Sequence, residues 1–206
     1  MRRSSDFATA VGGFAFVLLY VLAFSLGIEV GPTDREILEH YADSGNRTRE
    51  IVAFFLIAAA ALAFLVFAAG LRRRIDRVGG GVLAPLAWAG AVGCATLILA
   101  GNAVSRAPAF AAMSQDFQLD PNTRRLGEAA GFLLFVCGAL AAIHLVACVS
   151  IAGLRHGAFP RWLGWFGLGA AALLPLAIGF IGFLVLLAWV LATSTILALG
   201  RGPEPI

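Results

Sequence analysis

Between Glu50 and Arg72 lie twenty-one residues, Ile51 to Leu71, without a single charge. They run directly into Arg72, Arg73 and Arg74, with Asp76 and Arg77 close behind. Twenty-one helical residues at roughly 1.5 Å each cover about 30 Å, the hydrocarbon thickness of a bilayer. An arginine at mid-membrane costs roughly 2.5–3.5 kcal/mol on insertion scales, so the cluster stays out of lipid. The stretch is expected to span a membrane with its arginine end on the cytoplasmic side. Every other span takes its direction from it.

The remaining apolar runs divide on the same reasoning. Phe7 to Ile28 is uncharged over twenty-two residues, longer than the 7–15-residue core of a signal peptide, and reads as a retained first span. Val82 to Val104 follows, with Pro85 in its first turn, where a missing N–H costs little. Asp120-Pro121 makes an N-cap and first position for a helix whose span covers Gly127 to Leu154. Trp162 to Gly200 is uncharged over thirty-nine residues, about 58 Å as one helix and too long for one span at ordinary tilt. Pro175 weakens it, and Gly179 and Gly182 can form a tight turn. The expectation is an all-α, polytopic transmembrane helix bundle forming a single domain over 1–206. Its six spans lie at about 7–28, 51–71, 82–104, 127–154, 162–178 and 180–199. Five spans plus a re-entrant piece is the alternative.

Charges test this topology. Only 13% of residues are charged, against roughly 25% in soluble domains. On the expected inner side lie Arg2, Arg3, Arg72, Arg73, Arg74, Arg77, Arg155, Arg161 and Arg201, against Asp6, Asp76 and Glu204. On the outer side six arginines face nine acids. The bias follows the positive-inside rule and puts both termini in the cytoplasm. In the first outer loop, Glu29 to Glu50, Thr33-Asp34-Arg35-Glu36 fits a capping box. A short helix from about Thr33 to Ser44 is expected there, stopped by Gly45 and supported by Arg35/Glu39, Glu36/His40 and Ile37/Tyr41 pairs. Ser105 to Glu128 forms the second outer loop. Gly79-Gly80-Gly81 turns the chain on the inner side.

All fifteen basic residues are arginine. Without lysine there is no Walker lysine, no Schiff base and no Ser-Lys dyad. The net charge of +3 is accounted for by span ends, so nucleic acid is not an expected partner; the lipid bilayer is, with a homo-oligomer or another membrane protein possible beside it. No standard catalytic motif occurs, and no cofactor is implied.

Two constellations stand out. Asn102 and Arg106 lie on one helix face, and Glu50 and Glu128 begin spans on the same side, so the four can form an outward-facing polar pocket for a ligand or ion. Ordinary interfacial capping is the competing account. Cys94, His144 and Cys148 share a depth within the membrane and could hold a metal or support thiol chemistry. The competing account is a hydrogen-bonded histidine beside two packing cysteines, because zinc sites usually take four ligands, or three and water. Glu36, Glu39, His40 and Asp43 make an acidic face that could hold a cation, or simply be solvated.

Pro32-Thr33-Asp34-Arg35-Glu36-Ile37-Leu38-Glu39-His40-Tyr41 leading into Leu71-Arg72, and Phe159-Pro160-Arg161-Trp162-Leu163-Gly164-Trp165, carry a resemblance. The layout resembles actinobacterial-type six-helix membrane proteins of the domain-of-unknown-function kind. That resemblance implies an α-helical integral membrane protein and supplies no catalytic residues. The first expectation is a non-enzymatic accessory or scaffolding component of a bacterial inner membrane. A small transporter or ligand-binding protein using the outer pocket is the second. An intramembrane metal or redox protein using His144 is the third.

Overall fold

The computed structural model describes residues 2–27, 31–114 and 118–200, with side chains from Asp6 onward. The charges of Arg2, Arg3, Glu29, Asp116, Arg201 and Glu204 used in the topology argument lie outside the described side chains. The helices are α1 (Arg2–Ser25), α2 (Asp34–Ala42), α3 (Ser44–Arg77), α4 (Leu83–Ala111), α5 (Pro121–His156), α6 (Arg161–Leu173) and α7 (Ile181–Ala198), with a 3-10 turn at Leu174–Gly179. Six stretches, all but α2, are long and apolar enough to cross a membrane. The chain is an all-α, multi-pass integral membrane protein, and the five-span alternative does not form.

The helices pack in a ring. α1 lies on α3, α3 on α4, α4 on α5 and α5 on α6, and α7 returns to α1. Phe16, Phe64, Phe67 and Trp189, each fully buried, fill the centre. Phe16 and Phe64 rings are 4.9 Å apart, and Phe67 meets Trp189 edge-on at 6.2 Å. Thr193 and Thr195 donate to the carbonyls one turn back, as expected.

The tightest seam joins α4 and α5. Gly90, Gly93 and Gly101 face it, while Ala87, Ala91 and Ala95 are buried beside them. A methyl group on Gly101 would stand 2.6 Å from the Gly131 carbonyl oxygen, and one on Gly90 would stand 2.8 Å from the Ala141 carbonyl. Without much hydrophobic drive between helices in lipid, such close backbone approach supplies the packing. On α6 the buried residues are Leu163, Gly164, Gly167, Ala170 and Ala171, and Ala172 is exposed.

Several loops prove to be helix. α3 begins at Ser44 because Asp43, which ends α2, accepts the Asn46 N–H at 2.8 Å; Gly45 is not a stop. α3 then runs 34 residues, about 51 Å, through the arginine cluster to Arg77. The second outer loop is likewise short, since α4 continues past Pro108 to Ala111. Gly79 and Gly81 do turn the chain, with φ of 72° and 53°. At this end Arg74 binds the Ala158 carbonyl at 2.8 Å and Asp6 at 3.3 Å and lies over the Phe159 ring, locking α1, α3 and the α5–α6 turn together.

The α6–α7 hairpin differs from expectation in its tip. Pro175 lies in the 3-10 turn, and the left-handed residue is Phe180 (φ 62°), not Gly179 or Gly182. Gly182 instead lets the turn fold back onto α7, where a methyl group would meet the Leu174 carbonyl at 2.6 Å. Phe180 packs against Phe24 and Phe132. Phe132 is eleven residues into α5, so the tip stops about 16 Å short of the start of that helix.

The capping box is formed as expected, with Thr33 Oγ1 2.6 Å and Thr33 N 3.0 Å from Glu36 Oε2. The Thr33 hydroxyl, then its N–H, holds the Glu36 carboxyl below its ordinary range. Asp120 is held low by the Thr123 hydroxyl and the Thr123 and Asn122 N–H groups.

Two outcomes follow. Gly101→Ala should lower stability by about 1–3 kcal/mol through overpacking at backbone, measured by unfolding in bicelles; a neutral result would mean the α4–α5 seam is slack. Because both capping carboxyls have lowered values in the folded state, their contribution is present above the ordinary carboxylate range and lost as pH falls through the folded values. Amide protection factors of α2 and the first turn of α5, corrected for the intrinsic exchange rate, should therefore fall in acid, and the Glu36→Gln, Asp120→Asn double variant should lose that dependence.

Candidate functional site

At the α2 end, above the short hairpin, the ring encloses a cavity of about 560 Å³. Its upper wall carries Glu50 of α3, Asn102, Ser105 and Arg106 of α4, and Arg124 and Glu128 of α5. Its lower wall carries Tyr20 and Phe24 of α1, Phe132 and Phe135 of α5, and Phe180 and Phe183 of the hairpin. All four residues expected for an outer polar pocket, Glu50, Asn102, Arg106 and Glu128, line this one space.

Glu50 is its centre. The residue is 3% exposed, and a carboxylate so deep must be paired or it would be expelled or protonated. Oε1 lies 2.8 Å from His40 Nε2. Oε2 accepts from the Tyr41 hydroxyl at 3.3 Å and faces the Arg106 guanidinium at 3.7 Å. Tyr41 in turn accepts from Arg124 Nε at 3.4 Å, and Arg124 pairs with Glu128 one turn on. Burial first, then the Glu50 charge, pushes the Tyr41 phenol up, so it stays a donor.

His40, Tyr41 and Arg124 are functional-site residues that the sequence reading did not place. The heptad-like spacing of Ile37 and Tyr41 signalled a buried edge, and the structure buries both against Ala109. His40 pairs with Glu50 rather than with Glu36. The acidic face is dispersed: Glu36 caps α2, Glu39 binds Arg35 at 2.7 Å, and Asp43 caps α3. Arg125 holds α2 in place, reaching the Pro32 carbonyl at 2.7 Å and Asp34 at 2.6 Å.

Asn102 is 1% exposed. Its Nδ2 donates to the Phe54 carbonyl at 3.0 Å, which fixes the amide orientation because that partner only accepts. Its Oδ1 is buried and has no partner among the described residues.

Cys94, His144 and Cys148 are not brought together. His144 is exposed, while Cys94 and Cys148 are buried. The reason is register: Ala142, Leu145 and Val149 are the buried positions of this stretch, and His144 sits at the rim of the α4 seam with its Cβ beside Gly90. Among the described residues no three His, Cys, Asp or Glu side chains are placed to hold a metal.

No protein-family model, curated protein sequence or solved structure matches the chain.

Removing the carboxylate should be costly. Glu50→Ala leaves Arg106 and His40 without their shared partner and should lower stability by about 3–5 kcal/mol, with Glu50→Gln costing less. Reversible unfolding in bicelles checks this, and a loss below about 1 kcal/mol for the alanine variant would show that the network is solvated.

Proposed function

We propose that the protein binds a single-chain amphiphile, taken from the outer leaflet of a bacterial plasma membrane into the cavity at the α2 end. The observation that carries the reading is the two-part wall: charged and amide groups above, aromatic rings below, in a space within the roughly 300–1,000 Å³ of small-molecule sites. Such a wall is complementary to a polar head with an apolar tail. The short hairpin supports access from lipid, since α1 packs chiefly on α3 and α7 and α5 on α4 and α6, leaving the level above Phe180 without a helix between them.

The arginine cluster at the end of α3, with Arg155 at the end of α5 and Arg161 opening α6, supports a cytoplasmic placement of the end opposite the cavity. An all-arginine basic set fits a GC-rich bacterial source. The accessory or scaffolding reading rests on composition alone, and the cavity puts binding ahead of it.

Native mass spectrometry of delipidated protein released from nanodiscs is the test. Offered dodecanoate, dodecanol and dodecylamine together, the wild type should retain one chain-length amphiphile per protein. Ile57→Trp, which fills the cavity wall, should retain markedly less. A wild type that retains none of the three would sink the proposal.

A further inference from the structure

We infer that the cavity selects amphiphiles whose head carries an acidic oxygen beside a hydrogen-bond donor, as in a 2-hydroxy acid, with Arg106 reading the acid and Asn102 the donor. This rests on the amphiphile-binding reading above and adds the head-group chemistry.

The argument is a count of what each polar group still lacks. Glu50 lacks nothing: both oxygens are engaged, by His40, Tyr41 and Arg106. Glu128 is paired with Arg124. A cationic head at Glu50 would therefore have to displace a guanidinium, and Glu128 is 59% exposed, where solvent screens what it could offer a cation.

Arg106 is in the opposite state. Its one ion pair is at 3.7 Å, beyond hydrogen-bond distance, so most of its five N–H donors remain open to the cavity it lines. A carboxylate can take them bidentately, the geometry a guanidinium favours. Glu50 would keep His40 and Tyr41 when Arg106 turns to the ligand, so the exchange leaves no buried charge bare.

Asn102 stands one turn before Arg106 on the same face of α4. Its Oδ1 is an acceptor without a donor, and a buried acceptor left so is costly. A hydroxyl on the carbon next to an acid is close enough to reach it while the acid lies on Arg106. The tail then runs down between Phe132, Phe135 and Phe183.

Titration of delipidated protein in nanodiscs with single probes, read by native mass spectrometry, separates the possibilities. Dodecanoate should bind wild type about ten- to a hundredfold more tightly than dodecanol or dodecylamine, the range for a hydrogen bond to a charged group. 2-Hydroxydodecanoate should bind about three- to tenfold more tightly again. Arg106→Gln should bring dodecanoate to the level of dodecanol without changing dodecanol, and Asn102→Ala should remove only the 2-hydroxy gain. The wild-type ranking stands even if a variant fails to fold. Dodecanol or dodecylamine binding wild type as well as dodecanoate would overturn the inference while leaving amphiphile binding intact; retention of no probe would overturn both.

Discussion

A carboxylate 3% exposed at the edge of a membrane bundle must be held by several partners at once, and Glu50 determines the arrangement of the α2 end for that reason. Its partners come from different elements: His40 and Tyr41 from α2, Arg106 from α4. Arg124 joins from α5 through Tyr41. A nine-residue helix has too few turns to be stable alone. α2 exists because its capping box starts it, Arg125 anchors its first turn, and Glu50 draws its last turn inward. Remove that demand and the last turn of α2 loses its buried polar tie, which leaves the apolar contacts of Ile37 and Tyr41 and the Arg125 anchor at its start.

The two ends of the bundle solve the same charge problem differently. At the arginine-rich end Arg74 lies over Phe159 and binds Asp6 and the Ala158 carbonyl, with Arg77 also facing Asp6. At the α2 end two arginines and two glutamates are distributed around an open volume. Arg106 and Asn102 keep unspent donors and an unspent acceptor there.

The fold was largely legible because uncharged length is a direct readout of bilayer thickness. Ile51 to Leu71 falls inside α3 and Val82 to Val104 inside α4 but for its N-cap Val82, and the long run after Trp162 splits in two at the turn that holds Pro175. Helix ends were less legible. Lipid fixes where charge can sit, not where hydrogen bonding stops, so α3 carries on through Arg72, Arg73 and Arg74. Gly45 gave a false stop because Asp43, two residues earlier, could cap the next helix. The pocket residues Glu50, Asn102, Arg106 and Glu128 were legible from side and spacing alone. His40 and Arg124 were not, because a charge on a short amphipathic helix or at a span end looks the same from sequence whether it meets water or a buried partner. His144 failed for the complementary reason: residues at one depth need not share a face, and one residue of register separates the α4 seam from lipid.

The cavity itself follows from a defect in length. The run from Arg161 to Ala198 must cross the membrane twice, but α6 has only thirteen residues before Leu174, and the 3-10 turn and Phe180 complete the reversal early. α5, by contrast, has thirty-six residues and continues about 16 Å beyond the level of the tip. A ring whose sixth position is filled only partway up cannot be solid at that end. The aromatic rings of Phe24, Phe132, Phe180 and Phe183 line the step where the hairpin stops, which keeps its surface apolar. The polar groups lie above it because α3, α4 and α5 reach that height and carry them. The juxtaposition of a charged rim and an aromatic floor is therefore a consequence of one short hairpin in a bundle of long helices, and lengthening both arms of that hairpin by about three turns is the change that would fill it.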